Sequence, residues 1–150
     1  MAQLQKYKDN FLLLVEAGFI ATNMADEDTA SKLFKASALL SPENSLPKIG
    51  VGYMHLLKLE LKQASKVFED VLSKDPTDDM ARTFLGLSLA LSPTDIAKGE
   101  KYLAESAAKS KDPIVKNLAV NALDFVEKFV KKGPTPEQMK PMKKEPKKKK

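Results

Sequence analysis

Glycine recurs at Gly18, Gly52 and Gly86, in two equal steps of 34. Ala30 and Ala64 repeat the step, as do Phe34 and Phe68, and Pro42 and Pro76. Four residue types in one register define an internal repeat, and a period of this length belongs to helical hairpin arrays. Each mark has a physical reading. A glycine inside a helix costs about 1 kcal/mol relative to alanine, a cost tolerated where a neighbouring helix must come close. Ala30 and Ala64 are the small partners on the second helix, and Phe34 and Phe68 fill the space between helix pairs. Pro42 and Pro76 stop the second helix, because proline cannot continue a helix interior.

The third copy keeps its first half and drifts in its second. A step of 34 from Ala64 and Phe68 reaches Lys98 and Tyr102, whereas a step of 35 reaches Gly99 and Leu103, a small and a large apolar residue. One inserted residue near Pro93-Thr94-Asp95 accounts for the better fit. The periodicity predicts helices at about 4–24, 28–40, 46–59, 61–74, 78–91, 95–110 and 113–131. Asp26-Glu27-Asp28-Thr29 supplies an acidic start, and Asp75-Pro76-Thr77 and Ser92-Pro93-Thr94-Asp95 read as turns with caps. The seventh helix carries Val115, Leu118, Ala119, Ala122, Leu123, Val126 and Phe129 at helical spacing, as a cap over the open end of a stack would. An all-α domain is expected over residues 1–132, with repeats at about 11–44, 45–78 and 79–112, a capping helix at 113–131, and a disordered basic tail at 133–150.

The formal charge of +5 divides unevenly. Lys131–Lys150 holds nine lysines and two glutamates, +7, while Met1–Val130 holds 16 basic and 18 acidic side chains, −2. The body is therefore mildly acidic and the high isoelectric point belongs to the tail. The tail reads first as a solvated, solubilising segment and second as a weak electrostatic contact for an acidic partner; it has no aromatic residue for base stacking, so nucleic-acid binding is not expected. The most apolar run, Phe11–Ala21, contains Glu16 and is short of the ~20 residues of a membrane span, so neither insertion nor a cleaved export signal is expected.

Few residues could carry chemistry. There is no cysteine, and His55 is the single histidine, which removes thiolate sites and histidine clusters. His55 reads as a packing or hydrogen-bonding residue. The carboxylates Asp75, Asp78 and Asp79, and likewise Asp26, Glu27 and Asp28, lack EF-hand spacing and read as helix caps. No catalytic set, metal or cofactor is expected, and the chain reads as a binding protein, not an enzyme.

The periodic marks resemble the tetratricopeptide repeat (TPR). That family has small residues at repeat positions eight and twenty, an aromatic at twenty-four and proline at thirty-two. With repeats beginning at Phe11, Ser45 and Asp79, those places hold Gly18, Ala30, Phe34 and Pro42, then Gly52, Ala64, Phe68 and Pro76. Position four, tryptophan-like in the family, holds Leu14, Lys48 and Arg82. The resemblance covers roughly residues 11–112 and implies three hairpins stacked as a short right-handed solenoid. In that family positions five, nine and twelve of the first helices face a concave groove. Here they are Val15, Phe19 and Thr22, then Ile49, Tyr53 and Leu56, then Thr83, Leu87 and Ala90, with Met80 and Leu57 beside them.

The lysines and asparagines with which some TPR proteins clamp a terminal carboxylate are absent from these places. An apolar groove instead suits an amphipathic helix or an extended apolar segment, or one of the chain's own terminal helices. A small protein of this layout resembles the chaperones of bacterial type III secretion systems, which hold a needle subunit, generally with a small helical co-chaperone, or a translocator. The resemblance implies a cytoplasmic protein that keeps an aggregation-prone client monomeric. A generic TPR adaptor in another assembly is the alternative. An unfilled apolar groove also makes self-association possible.

Overall fold

A computed structural model describes residues 2–132, and the expected basic tail at 133–150 lies outside them. These residues are helical, with no strand among them. After a short turn of helix, α1 (Ala2–Gln5), the chain forms α2 (Phe11–Asn23), α3 (Glu27–Leu40), α4 (Leu46–Leu57), α5 (Leu61–Lys74), α6 (Asp79–Ala90), α7 (Ile96–Lys109) and α8 (Pro113–Phe125). The pairs α2 with α3, α4 with α5 and α6 with α7 pack as hairpins. The first helices also touch one another, α2 on α4, α4 on α6 and α6 on α8, while α3, α5 and α7 each lean on the first helix of the following pair.

The marks that repeat in the sequence are the contacts that hold the hairpins. Ala30, Phe34, Ala64 and Phe68 are almost completely buried. A methyl group built on Gly18 would lie 2.5 Å from Cε1 of Phe34, and one on Gly52 would lie 2.6 Å from Cε1 of Phe68. Each ring occupies the room a side chain would need, so the second helix rests directly on the backbone of the first. Helix α7 begins at Ile96, a step of 35 from the Leu61 that begins α5. Gly99 and Leu103 therefore take the small and large places, and Leu103 seats against Gly86.

Caps end the helices where short polar residues allow it. Asp26, Asp78 and Asp112 accept the backbone N–H of Thr29, Ala81 and Ile114 at 3.1, 2.9 and 2.8 Å. The α2–α3 and α4–α5 turns each pass through a left-handed residue, Ala25 (φ 59°) and Leu59 (φ 57°), again one repeat apart. Four buried hydroxyls, of Thr22, Ser37, Thr83 and Ser88, donate to carbonyls one turn back in their own helices.

Two expected helices differ. The single helix at 4–24 is interrupted, with a 3₁₀ turn at Lys8–Asn10 before α2 starts at Phe11. Residues 3–10 are exposed, so no buried face holds them in register with α2. The capping helix at 113–131 is regular only to Phe125 and continues as a wider π turn over Val126–Lys131. That turn keeps Val126 buried and carries Lys131 to Glu100 of α7 at 3.2 Å. The other boundaries fall within two residues of those expected.

Two substitutions test this packing. A methyl group on Gly99 would collide with backbone, reaching Gly86 O at 2.5 Å and Cα of Ala90 at 2.7 Å. Gly99→Ala is expected to destabilise the protein by about 3 kcal/mol in urea denaturation. Leu59 is 70% exposed and strained by its positive φ. Leu59→Gly is expected to raise stability by about 0.5–1 kcal/mol in the same assay.

Candidate functional site

The expected groove residues separate into two sets. Val15, Thr22, Ile49, Leu56, Thr83 and Ala90 are buried in the chain's own core, which corrects their expected place on an open surface. Val15 packs with Phe11 and Leu40, and Ile49 and Leu56 with Ala64, Phe68 and Val71. Ala90 packs with Leu103, Ala122 and Val126. The cause lies in the geometry of the helix. Positions five and twelve stand three before and four after the position-eight glycine, so they share its face. Once that glycine is drawn against the second helix, its neighbours on the stripe go with it.

Position nine behaves differently. Phe19, Tyr53 and Leu87 are only partly buried, as is Met80, and Leu57 is 49% exposed. The rings of Phe19 and Tyr53 are 5.6 Å apart, and those of Tyr53 and Phe84 are 5.4 Å apart, which places an aromatic row across α2, α4 and α6. Burial pushes the Tyr53 phenol above its ordinary pKa. Its hydroxyl donates to Oδ1 of Asn23 at 2.8 Å, tying α4 to α2 beside the row.

Residues at i, i+4, i+7 and i+11 share one face of a helix. On α4 the stripe through Tyr53 is Leu46, Gly50, Tyr53 and Leu57. The same four positions on α2 are Leu12, Glu16, Phe19 and Asn23, and on α6 they are Met80, Phe84, Leu87 and Leu91. A further step of 34 reaches Ile114, Leu118, Asn121 and Phe125 on α8. The row thus runs through positions two, nine and thirteen, with position six along its inner edge, where Gly50 is buried against the Phe34 ring and Phe84 stacks on Phe68. Leu12, Leu57, Ile114 and Phe125 are exposed on it, the last with its ring 5.2 Å from that of Phe129. Sequence reasoning missed Leu12, Leu46, Phe84, Leu91, Ile114, Leu118 and Phe125. The signal was present: fixing the buried stripe from the glycines leaves position nine on a different stripe, and these residues are its helical neighbours. At its edge the row opens into a depression of about 460 Å³ lined by Thr22, Asn23, Met54, Leu57 and Lys58.

The polar clusters are occupied by structural bonds. Asp75 binds Thr77, Asp78 caps α6 and accepts the hydroxyl of Ser45 at 2.7 Å, and Asp79 pairs with Arg82 at 2.8 Å. His55 Nδ1 lies 2.6 Å from Oε2 of Glu60. That contact, followed by Lys58, holds the Glu60 carboxyl below its ordinary pKa. No group of three potential metal ligands occurs among the described residues, and none of the described helices is long and apolar enough to cross a membrane. Comparison with protein families, with curated proteins and with solved structures returns no match.

The two stripes make opposite demands on a buried charge. Ile49→Asp places a carboxylate in a 1% exposed site and is expected to unfold the protein. Leu57→Asp is expected to leave the far-UV circular dichroism unchanged and the unfolding free energy in urea within about 0.5 kcal/mol of the parent.

Proposed function

We propose that this chain is a non-enzymatic, TPR-like repeat protein whose three hairpins, closed by α8, hold an amphipathic helix of another protein against the apolar row. The row is the observation that supports the reading. Large apolar side chains recur there at the repeat period; Phe19, Met80, Phe84, Leu87 and Leu91 rest on the core beneath, while Leu12, Leu57, Ile114 and Phe125 stay exposed beside them. An isolated exposed leucine is ordinary, whereas a contiguous apolar strip is the usual mark of an interaction surface. Each large partner side chain buried on it contributes about 1.5–3 kcal/mol before ordering costs.

Within that class we favour a cytoplasmic chaperone of a type III secretion needle or translocator subunit, on the sequence resemblance set out above. Covering the client's apolar stripe would block its self-assembly until export, and a small helical co-chaperone would complete the complex. The mechanism is steric and needs no cofactor, nucleic acid or membrane.

The test is a tagged pull-down from native lysate read by mass spectrometry, with Tyr53→Asp and Leu57→Asp beside the parent. Capture of one small helical secretion subunit, reduced at least ~10-fold in both variants while circular dichroism is unchanged in Leu57→Asp, is the expected result. Recovery of a large stable assembly that ignores both substitutions would replace the chaperone with a general adaptor.

A further inference from the structure

Helix α8 ends the described stack, with no following hairpin among the described residues, and two of its faces are largely exposed, the ring of Phe125 meeting that of Phe129 at 5.2 Å between centroids. They differ in chemistry. The face that would receive a second helix consists of positions four, five, eight and twelve, which in α4 are Lys48, Ile49, Gly52 and Leu56. In α8 those places hold Lys116, Asn117, Val120 and Asp124, all exposed. Apart from Val120, that face has the polar character of a terminal cap. The face in line with the apolar row stays mainly apolar: Ile114 is 78% and Phe125 is 46% exposed, with Leu118 partly buried between them and Asn121 as its one polar residue. Solubility alone would favour polar residues on both faces, so apolar side chains kept on one of them point to a use beyond the fold.

The row also has a charge pattern. Of its sixteen positions on α2, α4, α6 and α8, Glu16 is the only ionisable carboxylate or amine, and it stands on α2 at the end opposite α8. Glu16 is exposed and makes no ion pair among the described residues. Four helices at the usual interaxial distance of ~8–10 Å span roughly 24–30 Å. That length matches a partner helix of ~16–20 residues, or about five turns.

Resting on the reading of the row as a binding face, we propose that the site spans four helices, α8 included, and takes an amphipathic helix of about five turns whose apolar stripe carries a lysine or arginine at the end over α2. Ile114, Leu118 and Phe125 hold the far end of that helix, and Glu16 selects its orientation by charge. This makes α8 part of the recognition surface as well as the lid of the core.

The full chain should be titrated with two lengths of labelled synthetic helical peptide, a long one of about five turns and a short one of about three. Both carry a leucine stripe, and the longer one is made in two forms, with a single lysine or a single glutamate at one end. Phe125→Asp and Ile114→Asp are expected to weaken the long lysine peptide at least ~10-fold and to leave the short peptide within ~2-fold. Asp124→Asn, on the polar face, is expected to change neither. Glu16→Lys is expected to reverse the preference from the lysine to the glutamate form. Leu57→Asp, in the middle of the row, is expected to weaken both lengths.

If the α8 variants bind the long peptide as the parent does while Leu57→Asp does not, α8 lies outside the site and the inference falls, but the row stands. Equal affinity for the two charged forms would overturn the assigned end. No binding of any peptide by the parent would overturn both the inference and the reading beneath it. A dimer in sedimentation that Phe125→Asp dissociates would make a second copy, and not a partner helix, the occupant of this face.

Discussion

The rings of Phe34 and Phe68 lie where the side chains of Gly18 and Gly52 would have been. Phe34 is shared between two helices, since a methyl group on Gly50 would also strike its ring. One aromatic on α3 therefore sets the approach of α2 and of α4 together. The edge of Phe34 meets Phe19 at 5.3 Å between centroids, and Phe68 stacks with Phe84 at 5.6 Å. The ring that closes one hairpin thus also touches the helix that opens the next or lines the row. Aromatic pairs add about 0.5–1.5 kcal/mol beyond the area they bury. The larger effect is geometric, because these contacts set the spacing and rotation of the first helices.

Polar contacts sit at the edges of this scheme, between consecutive units and, for Lys48 and Asp70, between the two helices of one hairpin. Ser45 donates to Asp78, Tyr53 donates to Asn23, and Lys48 pairs with Asp70. Most are exposed or half-buried, where a single pair is worth well under about 1 kcal/mol once solvent screening is counted. They orient the turns more than they stabilise the stack. Inside the core the hydroxyls of Thr22, Ser37, Thr83 and Ser88 are satisfied by their own helices, whereas Ser106 Oγ is buried without a protein partner. It stands on α7, the helix displaced by the inserted residue.

The insertion before α7 shows how local irregularity is absorbed. The turn between α6 and α7 is longer than the two before it, and the one between α7 and α8 is shorter. The second helix of the third pair is therefore out of phase by one residue, while α8 returns to the original step. The first helices keep a common phase and their row stays continuous, even though the repeat behind them drifts. A turn can take up one residue at little cost because its backbone faces water.

The sequence by itself determined the helices, their pairing and the large and small places of the core. Spacing is a one-dimensional quantity, and the glycine, alanine, phenylalanine and proline marks specify which residues must meet. The one-residue shift at Gly99 and Leu103 was legible for the same reason. Which face of each first helix stays open was decided only in the tertiary structure. That face depends on the rotation of each helix about its axis, set jointly by the second helix of its own pair, the preceding pair and the following pair. Position nine is left partly exposed, whereas positions five and twelve were turned inward with the glycine they flank. Ile114 and Phe125 came into view only once α8 was seen to continue the row, because their exposure depends on the absence of a described neighbour, which no local pattern records.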